Sequence, residues 1–212
     1  MCETKLIVVR HGESVWNAEG RQQGHLDSGL SPRGLSQARL LAKRLRGCSL
    51  AAIYTSELGR ARQTAEIIAH HVTAPVVSDA RLRERHLGVF QGLTWAEAKT
   101  QWPVEYAAFQ TGDVDYVIPG GESARQRFTR TVGAIEEIAR RHLGAAVLLV
   151  THGGVLNGLF RRVLGIPLEA PRRFKLWNAS LNVFSYRANG DWLLGTWGDT
   201  AHLEELGTLD DA

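Results

Sequence analysis

Little in this chain points to disulfides, membranes or nucleic acid. Its 212 residues include two cysteines, Cys2 and Cys48, too few for a disulfide framework. A reducing, cytoplasmic setting fits. No apolar run approaches the length that spans a bilayer. Glu3 and Lys5 interrupt the start, which predicts no secretory signal. Lysine supplies 4 of the 25 basic residues and arginine the other 21. The arginines are spread without a basic block, so nucleic-acid binding is not favoured. Short metal-ligand spacings such as His-x-x-x-His are missing, which predicts no metal. No internal repeat, low-complexity segment or linker breaks the chain.

What remains is an ordinary globular composition, 44% hydrophobic and 22% charged, in a chain long enough to bury a core without staples. One domain over residues 1–212 is expected. The net charge of +3 is modest. The arginine excess reads either as a compositional habit or as a cluster around an anion, and the two are compatible.

Two stretches share one design. Leu6-Ile7-Val8-Val9 reads as a buried strand and runs into Arg10-His11-Gly12-Glu13-Ser14. Ala146-Val147-Leu148-Leu149-Val150 reads likewise and runs into Thr151-His152-Gly153-Gly154. Open α/β sheets place ligands at the carboxyl ends of such strands. Two strands delivering His-Gly put two imidazoles at one sheet edge. The glycine allows a sharp turn and close approach to a ligand. Arginine adds a planar fork suited to phosphate or carboxylate oxygens. The combination predicts an anion site with a nucleophile in it.

The rest alternates helices and strands. Residues 14–29 read as a polar loop over the site, with Asn17 and Gln23-Gly24 as anion donors and Trp16 as packing. Ser31-Pro32 starts a helix whose face is Leu35, Ala38, Leu41, Ala42 and Leu45, ended by Gly47. Residues 51–55 form a strand leading to a helix over 59–68. That helix's amino end favours anions, and only one of Arg60 and Arg62 reaches the site. His70-His71 are read as structural. Residues 75–78 form a short strand. Thr94 and Glu97 open a short helix with a capping box, and residues 102–117 are aromatic and irregular. A cap region over 94–120 therefore carries substrate choice, Trp95 included. Ser123 and Gln126 cap a helix over 124–142, with Phe128, Val132, Ile135 and Ile138 inward. A helix over 155–164 ends at Gly165-Ile166-Pro167. Asn189-Gly190 joins an antiparallel hairpin of 181–187 and 192–196. The tail 207–212 is read as loose. These elements predict a single-domain three-layer α/β/α fold with a mostly parallel central sheet and an antiparallel edge.

Arg10-His11-Gly12-Glu13 resembles the signature of the histidine phosphatase superfamily, the phosphoglycerate mutase-like proteins. The resemblance runs over about residues 5–205 and is nearest to the small, broad-specificity phosphatases. It matches Arg60, Ala61 and Thr64 to an Arg-Ala-x-x-Thr pattern, which selects Arg60 over Arg62. It matches Glu84 and Gly88 to the family's acidic Glu-x-x-x-Gly context, although a carboxylate flanked by Arg83 and Arg85 is otherwise a solvated ion pair. Both arginines are expected to point outward. Glu84-Arg85-His86 is similar to the mutase version, which implies that His86 touches substrate. The resemblance also favours Asn17 as a phosphate contact.

A phosphoryl group in transfer spreads charge over three equatorial oxygens. Arg10, Arg60 and His152 can surround them, with Asn17 and the Gly153 N–H as further donors. His11 would attack in line, its other ring nitrogen donating to a carbonyl near Gly12. Glu84 would protonate the leaving alkoxide and later activate water. The expected activity is a cofactor-independent, metal-independent phosphomonoester phosphatase working through phosphohistidine on a small phosphorylated substrate. A homodimer stays open. The alternatives are a phosphoglycerate mutase, a narrow phosphatase for phosphoserine or α-ribazole phosphate, and a non-catalytic phosphate-binding module. Mutases carry a tyrosine where Leu87 stands, a lysine where Trp95 stands, and an arginine pair before the second histidine. The pairs here, Arg140-Arg141, Arg161-Arg162 and Arg172-Arg173, lie elsewhere, so a phosphoglycerate carboxylate is expected to be held poorly.

Overall fold

The computed structural model describes residues 2–207. Six strands form one sheet in the order β3-β2-β4-β1-β5-β6. They are β1 (Glu3–Arg10), β2 (Ala52–Thr55), β3 (Val76–Ser78), β4 (Ala146–Thr151), β5 (Leu181–Arg187) and β6 (Trp192–Asp199). The β1, β2, β3 and β4 pairings are parallel, while β5 runs antiparallel to both β1 and β6. This is the predicted mostly parallel sheet with an antiparallel edge.

Both faces of the sheet are covered, which is why β1 and β4 read as continuous apolar runs rather than alternating ones. Ile7, Val9, Leu148 and Val150 face α2 (Pro32–Arg44) and α3 (Gly59–Ala69), packing with Leu41, Leu45, Ala61, Ala65 and Ile68. Leu6, Val8, Val147 and Leu149 face the opposite layer, α6 (Ala124–Arg141) and α7 (Gly153–Leu164), packing with Ile135, Ile138, Val155 and Leu159. Each such side chain contributes about 1.5–3 kcal/mol when fully buried. The central strands are thus the rigid part of the molecule, and the site stands at their ends.

Residues 14–29 are not all loop. Ser14 and Asn17 form a capping box on a single helical turn, α1 (Val15–Ala18). Residues 102–117 are irregular only beyond Gln110. Pro103 starts α5 (Pro103–Gln110), which packs beside α4 (Trp95–Gln101) through Trp95, Tyr106 and Phe109 around the buried Phe90. A small aromatic core thus gives the cap its own rigidity. The α7 helix starts two residues earlier than its apolar period indicates, because the small Gly153 and Gly154 enter the first turn with His152 as N-cap. The second hairpin strand extends to Asp199, and a 3₁₀ turn, Ala201–Leu206, buries Leu203 against the α2 side. Residues 208–212 of the tail lie outside the described residues.

Candidate active site

The register Arg10↔Thr151 brings the ends of β1 and β4 level. His11 and His152 follow directly, with ring centroids 5.2 Å apart and both side chains buried. His11 Nδ1 lies 2.7 Å from the Gly12 carbonyl oxygen. A carbonyl only accepts, so Nδ1 carries the proton and Nε2 presents its lone pair. Neither ring nitrogen of His152 has a hydrogen-bond partner among the described residues. Burial, reinforced by Arg60 and then by neighbouring charge including Arg10, holds both imidazoles well below the ordinary histidine range.

These depressed values set a testable pH dependence. A neutral His11 is ready to attack at pH values where an ordinary imidazole has become protonated. Ring chemical shifts of His11 and His152 are expected to show the neutral form at about pH 6, below the ordinary value near 6.5. A His11 midpoint at or above 6.5 would overturn this. For stability, the unfolded chain takes up protons that the folded chain refuses. Both rings therefore contribute stability that is full above about 6.5 and lost as pH falls below it.

Gly12 is not the ligand-approach glycine its sequence context suggests. A Cβ there would lie 2.6 Å from the Gly34 carbonyl oxygen, so its role is close packing of the β1 exit on α2. The close-approach glycine is Gly154, where a Cβ would overlap the Glu84 carboxylate. The Gly154 N–H donates to Glu84 Oε2 at 2.7 Å, and the Arg85 N–H donates to Oε1 at 2.8 Å. Two backbone donors thereby fix the carboxyl group on the cavity wall.

Arg60 is 1% exposed, and its Nη groups donate to the Gly24 and Leu26 carbonyls and to Asp27. Asp27 also accepts from the Gly59 and Arg60 backbone N–H groups. The amino end of α3 is therefore capped from within the protein, and the helix offers Arg60 to the site rather than its own dipole. Thr64 explains the spacing of its motif. Its hydroxyl donates to the Arg60 carbonyl and accepts from Gly12 N–H, tying α3 to the turn after His11. Arg62 points away and pairs with Glu66. Arg10 donates through Nη1 to the Leu176 carbonyl.

Arg10, His11, Asn17, Gln23, Gly24, Arg60, Glu84, His152 and Gly153 all line one cavity of about 630 Å³. That volume lies within the range of small-molecule sites, about 300–1,000 Å³. Ser14 N–H donates to Asn17 Oδ1, which leaves the amide nitrogen as the end that can donate. His86 does not line it. Its Nδ1 accepts from Gly88 N–H and its ring stands against His25, outside the cavity that Glu84, Arg85 and Leu87 line. Arg83 pairs outward with Glu57, as expected, but Arg85 turns inward, lines the cavity and lies over the Phe109 ring.

Several lining residues had no sequence prediction: Arg85 in this inward role, Arg127, Asn157, Arg172 and Leu176, whereas Phe109 comes from the aromatic stretch expected over the site. Arg172 enters the cavity wall from the segment after α7, so the lack of an arginine pair before His152 does not leave this end without cations. Asn178 and Ala179 were also unforeseen. The Asn178 amide donates to the His11 carbonyl at 2.9 Å, and the Ala179 N–H donates to the Arg10 carbonyl at 3.0 Å. Ala179 does this at φ +54°, a left-handed conformation that costs a non-glycine residue about 1–3 kcal/mol. The segment before β5 thus clamps the backbone of the nucleophile candidate. No sequence signal marks it. Arg127 did leave one, as a cation in helical phase with Thr131, Ile135 and Ile138 on the buried face of α6.

Among the described residues, no group of three or more His, Cys, Asp or Glu is arranged to hold a metal ion, and no helix is long and apolar enough to cross a membrane.

The chain belongs to the histidine phosphatase superfamily (branch 1), whose family model matches residues 6–200. It is 42% identical over 209 residues to a metal-independent phosphoserine phosphatase of Arabidopsis thaliana, covering 97% of this chain and 86% of that one. It is 40% identical over 210 residues to a probable phosphoglycerate mutase GpmB of Photorhabdus laumondii, covering 94% and 95%. The solved structure of Bacillus stearothermophilus YhfR superposes with a TM-score of 0.87 at 37% identity, covering 94% of this chain and 99% of that one.

Proposed function

We propose that this protein is a metal-independent phosphomonoester phosphatase for small phosphorylated metabolites, acting through a phosphohistidine on His11. The carrying observation is the pair of neutral, buried imidazoles 5.2 Å apart, set between Arg10 and Arg60 in a cavity that also holds Glu84. His11 Nε2 attacks phosphorus as the P–O bond to the leaving group breaks. Arg10, Arg60 and His152 stabilise the equatorial oxygens, assisted by Asn17 and the Gly153 N–H. Glu84 gives its proton to the leaving oxygen. Water then attacks phosphohistidine, passing its proton to Glu84 and releasing phosphate. Gln23 and Gly24 shape the wall, and the Gly24 carbonyl positions Arg60.

The relatives support both a phosphatase and a mutase reading, one being named a phosphoserine phosphatase and the other a probable phosphoglycerate mutase. Leu87 and Trp95 line the cavity as apolar groups where the mutases would carry a hydroxyl and an ammonium, which favours the phosphatase. Phosphate release from a panel of phosphomonoesters, run beside an assay for 3-phosphoglycerate to 2-phosphoglycerate conversion, separates the two. Isomerisation without phosphate release would make the chain a mutase. No phosphate and no isomer from any ester would leave a binding module.

Protein cations supply the charge that a metal would otherwise bring, so activity is expected to persist in excess chelator. Vanadate, which adopts the geometry of the transferring phosphoryl group, is expected to inhibit. Activity lost to chelator and restored by one divalent ion would refute this part. The two exposed, free cysteines agree with a cytoplasmic setting.

A further inference from the structure

Arg127 is a buried cation with no ion pair among the described residues. It is 4% exposed and projects from α6 into the cavity wall. Its Nη1 is buried without a hydrogen-bond partner among the described residues. Buried guanidinium donors are ordinarily satisfied, because leaving one unpaired forfeits its hydration without return. The α6 face could have carried an apolar residue at this position, in phase with Ile135 and Ile138.

Its surroundings deepen the imbalance. Arg85 lines the same cavity, and burial together with the Arg127 charge pulls its guanidinium down to about 10. Two donors of Arg85 are spent on the Glu122 and Tyr116 carbonyls, which fix the group in place. Arg172 lines the same cavity. The nearest acids do not neutralise the group. Glu122 is committed to Arg130 and to the His86 N–H. Glu84 is held by two backbone N–H groups and lies within electrostatic reach of both Arg60 and Arg127.

We propose that Arg127, assisted by Arg85 and Arg172, binds a second anionic group of the substrate, a carboxylate or second phosphate a few atoms from the phosphoester that His11 attacks. The preferred substrates are then small phosphorylated acids or bisphosphates rather than monophosphates of neutral alcohols. This rests on the phosphatase reading for its catalytic consequence but not for its binding test. A planar guanidinium with free donors suits either oxygen cluster.

The test compares 3-phosphoglycerate with glycerol 3-phosphate, which differ by carboxylate against hydroxymethyl, and propanediol bisphosphate with propanediol monophosphate. Calorimetric titration of the His11→Ala protein reads the subsite without turnover. At least one anionic partner is expected to bind about 10–100-fold more tightly than its neutral mate, the scale of one charge-assisted hydrogen bond. The two pairs tell carboxylate from phosphate. Arg127→Leu in that background is expected to bring the ratio near one, and Arg127→Lys to restore part of it. In the wild type, kcat/KM should show the same ratio. Equal affinities within both pairs would overturn the subsite, even if every ester is hydrolysed and even if Arg127→Leu fails to fold. A ratio that survives in folded Arg127→Leu would overturn the assignment to Arg127. A preserved binding ratio with no phosphate released by the wild type would instead sink the phosphatase reading and leave the subsite standing.

Discussion

His11→Ala is expected to lower kcat/KM by roughly 10⁵–10⁶-fold with every phosphomonoester, the scale seen when a covalent nucleophile is removed. The choice of His11 over His152 follows from the second ring nitrogen. In His11 it is fixed by the Gly12 carbonyl, so the reactive lone pair has one direction and one protonation state. In His152 both nitrogens are without partners, which suits a group that meets an oxygen only when substrate arrives. The backbone of His11 is further pinned through its carbonyl by Asn178. Wild-type protein quenched in alkaline detergent should carry acid-labile phosphate from labelled substrate. The alanine variant should carry none while keeping its circular dichroism spectrum. Label persisting in folded His11→Ala would transfer the nucleophile to another residue, with His152 first in line.

Glu84→Gln is expected to cost about 10²–10⁴-fold with alkyl phosphates, the usual contribution of a general acid–base group. A nitrophenyl phosphate should lose much less in the first step, since its phenolate leaves without a proton. Hydrolysis of phosphohistidine should slow for both, because the base is gone. A burst of nitrophenol followed by slow turnover is the expected trace. Glutamine has one oxygen where Glu84 uses two, so either Gly154 or Arg85 loses an acceptor for its N–H. That loss lowers stability by about 1–3 kcal/mol but cannot generate a burst. Equal losses with alkyl and aryl esters and no burst would reduce Glu84 to a structural anchor.

The parts of this site that were legible in the sequence are those written as local grammar. A β-branched run ending in Arg-His-Gly predicts a strand delivering a cation and an imidazole, and β1 and β4 do this. The Arg60–Thr64 spacing is likewise local, one helical turn. Groups brought in by the return of distant chain left no such mark. Asp27 reaches Arg60 from a loop, and Asn178 reaches His11 from the segment before β5. His86 and Arg85 were exchanged because residues 84–88 follow no periodic conformation, so adjacent side chains give no clue to which turns inward. The stretch 102–117 hid its helix because aromatics serve two purposes there, filling the cap's own core and lining the cavity.

The strand order has a consequence for how the chain comes into being. β1 is made first, yet its two neighbours are β4 and β5, and β4 also separates it from β2. No earlier segment can complete either edge of β1. During synthesis at about 5–20 residues per second, this doubly apolar strand waits many seconds for residues 146–151 and then 181–187. Loops that long close slowly. The nascent chain therefore carries β1 unpaired on both edges until β4 and β5 have been made. Because β4 pairs with both β1 and β2, His152 comes to stand beside His11 only after residues 146–152 have been made.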